Sequence, residues 1–296
     1  HMRELKLKAK AKINLGLDVV RKREDGYHEV RMIMQMINLY DKITLRKKTE
    51  PGITVTTNLA YLPVNEDNLV YRAAKLLMDE FQVDGGLEIE LQKYIPVAAG
   101  MAGGSTDAAA VMVGVNRIFQ LGLNKKQLME RGVKIGADVP FCIMRGTALA
   151  EGIGEELTPL PAMPHCSLVI AKPKIHVSTK FVYGNLKVRE LTEHPDIDGQ
   201  VQALRENNLE QLVARMGNVL ETVTIPAYPV IDEIKHTMMK YGAMGAMMSG
   251  SGPTVFGIFE KEDKAQEVCR LLKKEKAAKQ SEVSSLQSQL TSLMGK

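Results

Sequence analysis

The segment IPVAAGMAGGSTDAAAVMVGVNRI, residues 95–118, places three glycines directly before an alanine-rich helical pattern. Clustered glycines cost folding entropy, so they indicate a backbone that turns with positive φ or closely approaches another group. The first turn of a helix has unpaired N–H groups and a positive dipole end, and both attract phosphate. No Gly-Lys-Ser/Thr sequence closes the segment as in a P-loop, and no apolar strand runs directly into it as in a Rossmann fingerprint. Two interpretations stay open: a phosphate-binding loop, or a tight turn capped by Ser105 or Thr106.

Four further positions carry groups that could do chemistry. Asp138, in GADVPF, is either a catalytic carboxylate or the N-cap of a helix. Tyr27 and His28 follow a turn in DGYHEV, where they could bind a ligand or only pack and face solvent. The glycines of MSGSGPTVF fit an ordinary hairpin turn as well as a binding loop. Lys12 is one of four lysines on one strand face, and the local pattern does not distinguish it from the others.

The bulk properties limit the class of protein. The chain has 296 residues, enough for one large or two ordinary domains. Its formal net charge of +4 is well below that of a dedicated nucleic-acid-binding protein and suits the handling of anionic small molecules. The three cysteines show neither a disulfide framework nor metal-ligand spacing, which predicts a reducing cytoplasm. No apolar run approaches the roughly 20 residues of a membrane-spanning helix.

Periodicity predicts the elements that position these residues in the first half of the chain. The segment LKLKAKAKINLGLDVV, residues 5–20, alternates apolar and polar side chains and predicts a long, half-buried strand. Further strands are predicted for DKITLRKK, GITVTT, GLEIELQK and GTALAEG. Helical spacing predicts a helix over DNLVYRAAKLLMDEF with Asp67 as its N-cap, a helix from about Ser105, and a helix over NKKQLMERGVKIG.

A proline-rich stretch, LTPLPAMPHCSLVIAKP, predicts a linker into a second unit. That unit is predicted to contain a strand over SLVIAKP and helices near 178–186, 203–218 and 229–241. The segment GAMGAMMSGSGPTVFGIFE predicts a strand, a glycine turn and a second strand. The tail is predicted to be helical from Lys261, because apolar residues recur three and four apart in it: Val283, Leu286, Leu290 and Leu293.

Four motifs follow one another along the chain: AKINLGLDVVRKREDGYHEV, PVAAGMAGGSTDAAA, GADVPF and MSGSGPTVFG. In this order they resemble the GHMP kinases, the superfamily of galactokinase, homoserine kinase and mevalonate kinase, over roughly residues 5–270. The resemblance implies a two-domain α/β (α+β) fold. Its parts would be an ATP-binding domain similar to the second domain of ribosomal protein S5 at residues 3–160, a ferredoxin-like domain at residues 161–276, and a helical tail at 277–296.

The resemblance also implies the site residues. Asp138 matches the family's catalytic base and Lys12 the lysine beside it, while Asn68 falls on the adenine side of the nucleotide site. The residues that match the loop around the ATP phosphates are Pro96, Val97, Ala98, Ala99, Gly100, Met101, Ala102, Gly103, Gly104, Ser105 and Thr106. The residues that match the acceptor site are Asn14 beside the alcohol, Tyr27, His28 and Tyr183 around a cytosine, and Thr179 near the substrate phosphates.

The AKINL and DGYH segments are the discriminating parts of the resemblance, and they imply a specific reaction. ATP would donate its γ-phosphoryl group to the 2-hydroxyl of 4-diphosphocytidyl-2-C-methyl-D-erythritol, in the non-mevalonate isoprenoid pathway. Mg²⁺ is implied as cofactor with no protein residue assigned as its ligand, and Ser105 is expected to be the nearest side chain. The implied partners are these small molecules, without nucleic acid or membrane, and the chain is expected to be a monomer or a weak homodimer.

Two features depart from the family pattern. The glycine loop carries Met101, Ala102 and Asp107 where relatives more often have Leu, Gly and Asn, and the tail does not resemble the strand that usually ends the second domain. Three alternatives stay open. A sibling small-molecule kinase should not need the GYH sequence. A non-catalytic ligand sensor should not need to retain Lys12 and Asp138. A nucleic-acid-binding protein should show basic residues interleaved with aromatics beyond the one lysine-rich strand face.

Overall fold

The computed structural model describes residues 2–278 and 287–293. Within them the chain forms ten β-strands: β1 (Glu4–Lys22), β2 (His28–Lys48), β3 (Gly52–Thr57), β4 (Gly86–Gln92), β5 (Thr147–Glu151), β6 (Glu156–Pro159), β7 (Cys166–Lys172), β8 (Gly245–Met248), β9 (Val255–Phe259) and β10 (Gln287–Leu293). The same residues form ten α-helices: α1 (Leu69–Glu80), α2 (Gly103–Ile118), α3 (Lys125–Gly132), α4 (Val139–Met144), α5 (Thr179–Gly184), α6 (Ile197–Arg205), α7 (Leu209–Ala214), α8 (Glu221–Ala227), α9 (Val230–Lys240) and α10 (Glu262–Ala278).

The chain divides into two compact units that alternate along the sequence. The first unit contains the described residues up to Lys12 together with Leu39–Val97 and Ala102–Arg145. The second contains Ile13–Asn38, Ala98–Met101 and the described residues from Gly146 onward. Strands β1 and β2, 19 and 21 residues long, each contribute residues to both units. The domain bounds 3–160 and 161–276 stay a prediction.

Strand β1 follows the predicted alternation and pairs with β2. Its apolar face is at most 2% exposed over the residues Ala9, Ala11, Ile13, Leu15, Leu17 and Val19. The opposite face changes along the strand: Lys6 and Lys8 are exposed, whereas Lys12 and Asn14 are buried. The strand therefore carries two polar side chains into the interior, which the alternation alone does not predict.

In the first unit, β4 pairs antiparallel with the second half of β2 and parallel with β3. Helix α1 packs against α2, and both α2 and α3 pack against α4. Helix α1 begins after Asn68, whose side chain accepts a 3.0 Å hydrogen bond from the Val70 N–H, so the predicted cap Asp67 is wrong by one residue. Helix α2 begins at Gly103, two residues before the predicted start at Ser105.

In the second unit, the first half of β2 pairs antiparallel with β5, and β5 pairs with β6. Strand β6 ends at Pro159, so part of the predicted linker is a strand. A further sheet has the order β10-β7-β9-β8 and is antiparallel throughout. Helix α9 packs on β8 and β9, and helix α10 packs on β7, β9 and β10. The β8–β9 hairpin confirms the predicted strand, turn and strand.

Two predictions for the second unit are wrong. The single helix predicted over 203–218 is replaced by the end of α6 and by α7, because Asn207 has a φ of 53° and Asn208 caps α7 through a hydrogen bond from the Gln211 N–H. The tail predicted to be helical forms strand β10 over Gln287–Leu293, which pairs with β7. This pairing depends on a partner more than a hundred residues away in sequence, so helical spacing within the tail could not reveal it.

Helix α10 extends to Ala278 and confirms the helix predicted from Lys261. Val283 and Leu286 of the predicted tail helix lie outside the described residues. Among the helices of the described residues, none has both the length and the apolar character that crossing a membrane requires.

Candidate active site

The glycine-rich loop, defined as residues 96–102, has a backbone that ordinary side chains rarely adopt. The φ angles of Ala98, Gly100 and Ala102 are 54°, 83° and 56°. Ala102 is the N-cap of α2, and its side chain makes no capping hydrogen bond, so the predicted cap by Ser105 or Thr106 is wrong. Because the first backbone bond of the helix runs from the Thr106 N–H to the Ala102 carbonyl, the preceding N–H groups of the first turn are not used within it. An anion fits such a helix start.

A second loop, the Gly-Ser-Gly turn at residues 249–252, supports the glycine-rich loop within the second unit. The Ser249 hydroxyl donates a 2.9 Å hydrogen bond to the Gly100 carbonyl. The Thr254 N–H donates a 3.3 Å hydrogen bond to the Ala99 carbonyl. A Cβ atom added to Gly100 would lie 2.3 Å from the Ser249 carbonyl oxygen, so the two backbones approach too closely for any side chain. The turn is thus more than a hairpin connection.

Three side chains that sequence reasoning missed hold the Gly-Ser-Gly turn in place. The Asn218 amide donates to the carbonyls of Met248 and Gly250 at 2.9 and 2.8 Å. The buried Thr224 hydroxyl donates to the Ser251 carbonyl at 3.1 Å. A carboxylate oxygen of Glu221 accepts from the Met248 N–H at 3.0 Å. No local pattern in the sequence marks these residues, because their partners lie about 30 residues further along the chain.

Lys12 and Asp138, predicted to do the chemistry, both affect the pKa of one buried thiol in the first unit. Asp138 directly precedes α4, and its side chain makes no capping hydrogen bond to that helix. Burial raises the pKa of the Cys142 thiol, the negative charge of Asp138 raises it further, and the positive charge of Lys12 lowers it. Lys12 itself is only 5% exposed.

A second electrostatic effect concerns Lys10 on β1 and Arg145, the residue that follows α4. Burial lowers the pKa of Lys10, and the nearby charges of Arg145 and Lys8 lower it further. Arg145 ends α4, whereas Asp138 precedes its first residue.

The predicted cytosine-binding residues lie in the second unit. The rings of His28 and Tyr183 are 5.1 Å apart between centroids and tilted by 48°. Burial and, to a smaller extent, the charge of Lys22 lower the pKa of His28, so its imidazole is neutral at pH 7. Tyr27 is 59% exposed and so presents a ring to solvent. These side chains offer two aromatic faces and a neutral group that can donate and accept hydrogen bonds.

The remaining predicted residues have well-defined contacts. The Thr179 hydroxyl lies 2.9 Å from the Ser251 hydroxyl, and Thr179 begins α5, one turn before Tyr183. Asn14 is fully buried on β1, with its amide nitrogen 3.6 Å from the sulfur of Met32. Asn68 caps α1, and its place near adenine stays a prediction. Among the described residues, no cluster of three or more His, Cys, Asp or Glu side chains could hold a metal ion.

Family profiles match the chain in two places. The GHMP kinases N terminal domain matches residues 68–146, and the GHMP kinases C terminal matches residues 200–278. Among curated relatives, the 4-diphosphocytidyl-2-C-methyl-D-erythritol kinase of Lachnospira eligens is 58% identical over 261 residues, which cover 88% of this chain and 91% of the relative. The kinase of the same name from Lachnoclostridium phytofermentans is 57% identical over 262 residues, covering 88% and 90%.

Solved structures of two kinases match this chain over nearly its whole length. The crystal structure of a 4-(cytidine 5'-diphospho)-2C-methyl-D-erythritol kinase matches with a TM-score of 0.83 at 30% identity, over 99% of this chain and 100% of that one. The homoserine kinase from Cytophaga hutchinsonii matches with a TM-score of 0.79 at 21% identity, over 99% and 95%, a similarity of fold alone. The two-domain α/β fold predicted from the sequence is thereby confirmed.

Proposed function

Because this chain belongs to the GHMP kinases, and within them to the 4-diphosphocytidyl-2-C-methyl-D-erythritol kinase family, we propose that it phosphorylates the 2-hydroxyl of 4-diphosphocytidyl-2-C-methyl-D-erythritol with ATP. The observation that carries the proposal is the similarity to kinases of that name, 58% identical over 88% of this chain in one relative. Lys12 and Asp138 support it, since their opposite charges both shift the pKa of the Cys142 thiol. A carboxylate beside an ammonium can accept a proton from an alcohol and offset the charge that develops on its oxygen.

Asp138 is the base in this proposal. A carboxylate is a weak base, but phosphoryl transfer through a loose transition state requires mainly positioning and charge stabilisation, and the alcohol proton can leave late. Lys12 would offset the negative charge that develops on the attacking oxygen. Asn14, two residues after Lys12 on β1, would position the acceptor alcohol. Asp138 would thus be the proton acceptor, Lys12 its charge partner and Asn14 the positioning group.

The glycine-rich loop and the start of α2 would bind the ATP phosphates. Gly104 is exposed at the first turn, where an added Cβ would meet no atom closer than 3.6 Å, so a ligand can approach the backbone. Each favourable charge interaction with a helix end contributes about 0.3–1 kcal/mol when exposed and up to about 2 kcal/mol when partly buried. Several N–H groups together would therefore replace the lysine of a P-loop. Asn68 would lie on the adenine side.

Mg²⁺ fits this site as an ion held mainly by phosphate and water rather than by protein side chains. The described residues offer no cluster of acidic or histidine ligands, and the half-buried Ser105 hydroxyl is the oxygen donor at the first turn of α2. When bound, Mg²⁺ would neutralise charge on the phosphates of ATP. Ser105 would hold it from the helix side.

Cytosine would stack between the rings of Tyr27 and Tyr183 and be read along its edge by His28. Stacking on aromatic side chains contributes about 1–3 kcal/mol per base but tolerates any base. Selectivity must therefore come from edge hydrogen bonds, since an unpaired polar group in a buried site is costly. The neutral imidazole of His28, in contact with Tyr183, suits that task. Thr179, bonded to Ser251 of the Gly-Ser-Gly turn, would contact the substrate phosphates.

The proposal is tested by measuring ATP turnover with a panel of alcohols. The panel contains 4-diphosphocytidyl-2-C-methyl-D-erythritol, its uridine analogue, free methylerythritol phosphate, homoserine and mevalonate. We expect transfer to the cytidine compound at least about 100-fold faster, in kcat/KM, than to the others, since a site that pairs with polar groups rejects analogues that leave them unpaired.

Each alternative predicts a different result on this panel. Preferred transfer to homoserine or mevalonate would identify a sibling kinase, and binding of ATP without transfer to any alcohol would identify a ligand sensor. Equal use of the cytidine and uridine compounds would contradict the role of His28. Any of these results overturns the corresponding part of the proposal.

A further inference from the structure

A buried lysine lies between two buried carboxylates in the first unit, outside the groups used above. The Lys93 ammonium is 2.7 Å from an Asp41 carboxylate oxygen and 2.9 Å from an Asp107 carboxylate oxygen. The three side chains are 4%, 0% and 2% exposed. Buried charges are costly unless they are paired and hydrogen-bonded, so a buried cluster of three charged side chains indicates a structural or functional role.

The cluster joins the two segments that flank the glycine-rich loop. Before the loop, the other Asp41 carboxylate oxygen accepts hydrogen bonds from the N–H groups of Tyr94 and Ile95, at 2.6 and 2.8 Å. After the loop, Asp107 lies in the second turn of α2. A Cβ atom added to Gly103 would lie 3.0 Å from the Lys93 ammonium, so the lysine also lies against the first residue of that helix.

The charges in the cluster are unequal, with one cation for two carboxylates. Asp41 receives three donors on its two oxygens, whereas one Asp107 oxygen is buried and has no hydrogen-bond partner among the described residues. Burial raises the pKa of Asp107 well above its ordinary value, and the nearby Asp41 also raises it, against the opposing charge of Lys93. Burial lowers the pKa of Lys93, but the two carboxylates outweigh it and raise the net value. The cluster thus places one buried ammonium between two buried carboxylates beside the start of α2.

We propose that Lys93, Asp41 and Asp107 are positioning residues that hold the two ends of the glycine-rich loop at a fixed separation and thereby set its affinity for the triphosphate of ATP. A loop that contains glycine has many accessible conformations. A ligand that must order such a loop binds more weakly, because ordering costs conformational entropy. Fixing residues 94–95 and the first turns of α2 restricts the loop before the ligand arrives. The inference rests on the proposed function, because it assigns the loop to ATP.

The test is made at Asp107, because replacing Lys93 would leave two buried carboxylates without their cation. Asp107→Leu removes the link from Lys93 to α2 and leaves the Lys93–Asp41 pair intact. Asp107→Asn keeps an oxygen acceptor for Lys93. The matched control is Lys75→Met, which removes a lysine–aspartate pair on the exposed surface of α1. For each variant we would measure the Kd of a non-hydrolysable ATP analogue, the KM of the acceptor alcohol, amide hydrogen exchange over residues 94–106, and the melting temperature.

We expect Asp107→Leu to weaken binding of the ATP analogue about tenfold and to speed exchange at Tyr94 and Ile95 by a similar factor, with the acceptor KM within about twofold. Asp107→Asn should weaken analogue binding less than Asp107→Leu does. Lys75→Met should change neither the analogue affinity nor the exchange rates. A folded Asp107→Leu variant with unchanged analogue affinity and unchanged exchange overturns the proposal, even if its melting temperature falls. Failure of the proposed function would appear instead as absent phosphoryl transfer by the wild-type protein. In that case the hydrogen-exchange rates at Tyr94 and Ile95 would still show whether the cluster fixes the ends of the loop.

Discussion

Lys12 and Lys8 lie on the same face of β1, yet their surroundings give them different properties. Lys8 is exposed, with its ammonium 4.8 Å from the centroid of the Tyr40 ring. Lys12 is buried, and its charge and that of Asp138 shift the pKa of the Cys142 thiol in opposite directions. A buried charge is costly unless it is paired and hydrogen-bonded. We infer that Lys12 and Asp138 operate as one charged unit, and this is a property of packing rather than of residue type.

The first prediction concerns this unit. Asp138→Asn keeps the shape of the side chain but removes its charge and its ability to accept a proton. General base catalysis typically contributes 10²–10⁴-fold, or about 2.7–5.4 kcal/mol, so we expect kcat to fall by roughly that factor. Binding of ATP should persist, because the glycine-rich loop is unchanged. Lys12→Ala should also lose turnover, and the double variant should lose less than the product of the two single effects, as measured by steady-state kinetics.

The control for this prediction is Lys8→Ala, on the same strand face, which should change kcat less than about twofold because surface substitutions away from a site have small effects. A helix cap would behave differently from a base, since Asn caps helices as well as Asp does. Near-wild-type turnover in Asp138→Asn, with folding confirmed by its melting temperature, would remove the proposed role.

The second prediction concerns His28. Burial and the charge of Lys22 lower the pKa of His28 from its ordinary value of about 6.5, so the neutral imidazole predominates at pH 7. His28→Ala should raise the KM of the cytidine substrate about tenfold, the loss of roughly one hydrogen bond, and leave the KM of ATP nearly unchanged. In the wild type, the cytidine KM should be constant between pH 7 and 8 and rise at lower pH as the imidazole gains a proton and can no longer accept. A cytidine KM that varies identically with pH in His28→Ala would contradict this assignment.

At the scale of elements, local pattern predicts those that a single segment determines. The alternation of β1, the spacing of α1 and the glycine turn between β8 and β9 are all visible in the sequence. Elements set by distant partners are not visible: β10 forms by pairing with β7, and β2 continues from His28 to Lys48 because different partners pair with its two halves. The break between α6 and α7 is only partly visible in the sequence. The Asn207-Asn208 pair indicates a break, but the apolar periodicity continues across it.

The third prediction concerns the glycine-rich loop as an element, and it compares two glycines with similar backbone angles. Gly100 and Gly122 have φ of 83° and 77°, but an added Cβ meets the Ser249 carbonyl at 2.3 Å in the first case and no atom within 4 Å in the second. Gly122→Ala should therefore lower the free energy of unfolding by only the cost of a left-handed alanine, about 1–2 kcal/mol. Gly100→Ala should lower it further and raise the KM of ATP at least about tenfold, because the loop must move away from the Gly-Ser-Gly turn. Denaturant unfolding and ATP kinetics measure both effects, and equal effects of the two variants would contradict this account of the loop.

At the scale of the molecule, the candidate site was predictable mainly as a set of motifs in one order. Asp138 and the glycine-rich loop stand in recognisable local patterns. Lys12 gains its significance only from burial. Lys93 and Asp41, 52 residues apart in sequence, look like ordinary surface charges until the fold brings them together. The interleaved units have the same origin, since β1 and β2 are long enough to serve both and no local signal shows where one unit ends.

The last prediction concerns the C-terminal strand and the second unit as a whole. Strand β10 pairs with β7 over seven positions, and β7 pairs on its other side with β9, which follows the Gly-Ser-Gly turn. A chain ending at Ala278 would leave the edge of β7 unpaired, and an unpaired edge lowers stability and offers a template for association. If the lost pairing costs about 2 kcal/mol, the melting temperature should fall by about 4–8 °C, with an increased apparent mass on sizing.

The matched control is a chain ending at Leu293, which keeps β10 and should melt as the full chain does. Equal melting temperatures and equal apparent masses for the two truncated chains would show that β10 does not contribute to the stability of the second unit. The KM of ATP, measured for each chain, would show whether loss of β10 also disturbs the Gly-Ser-Gly turn that supports the glycine-rich loop.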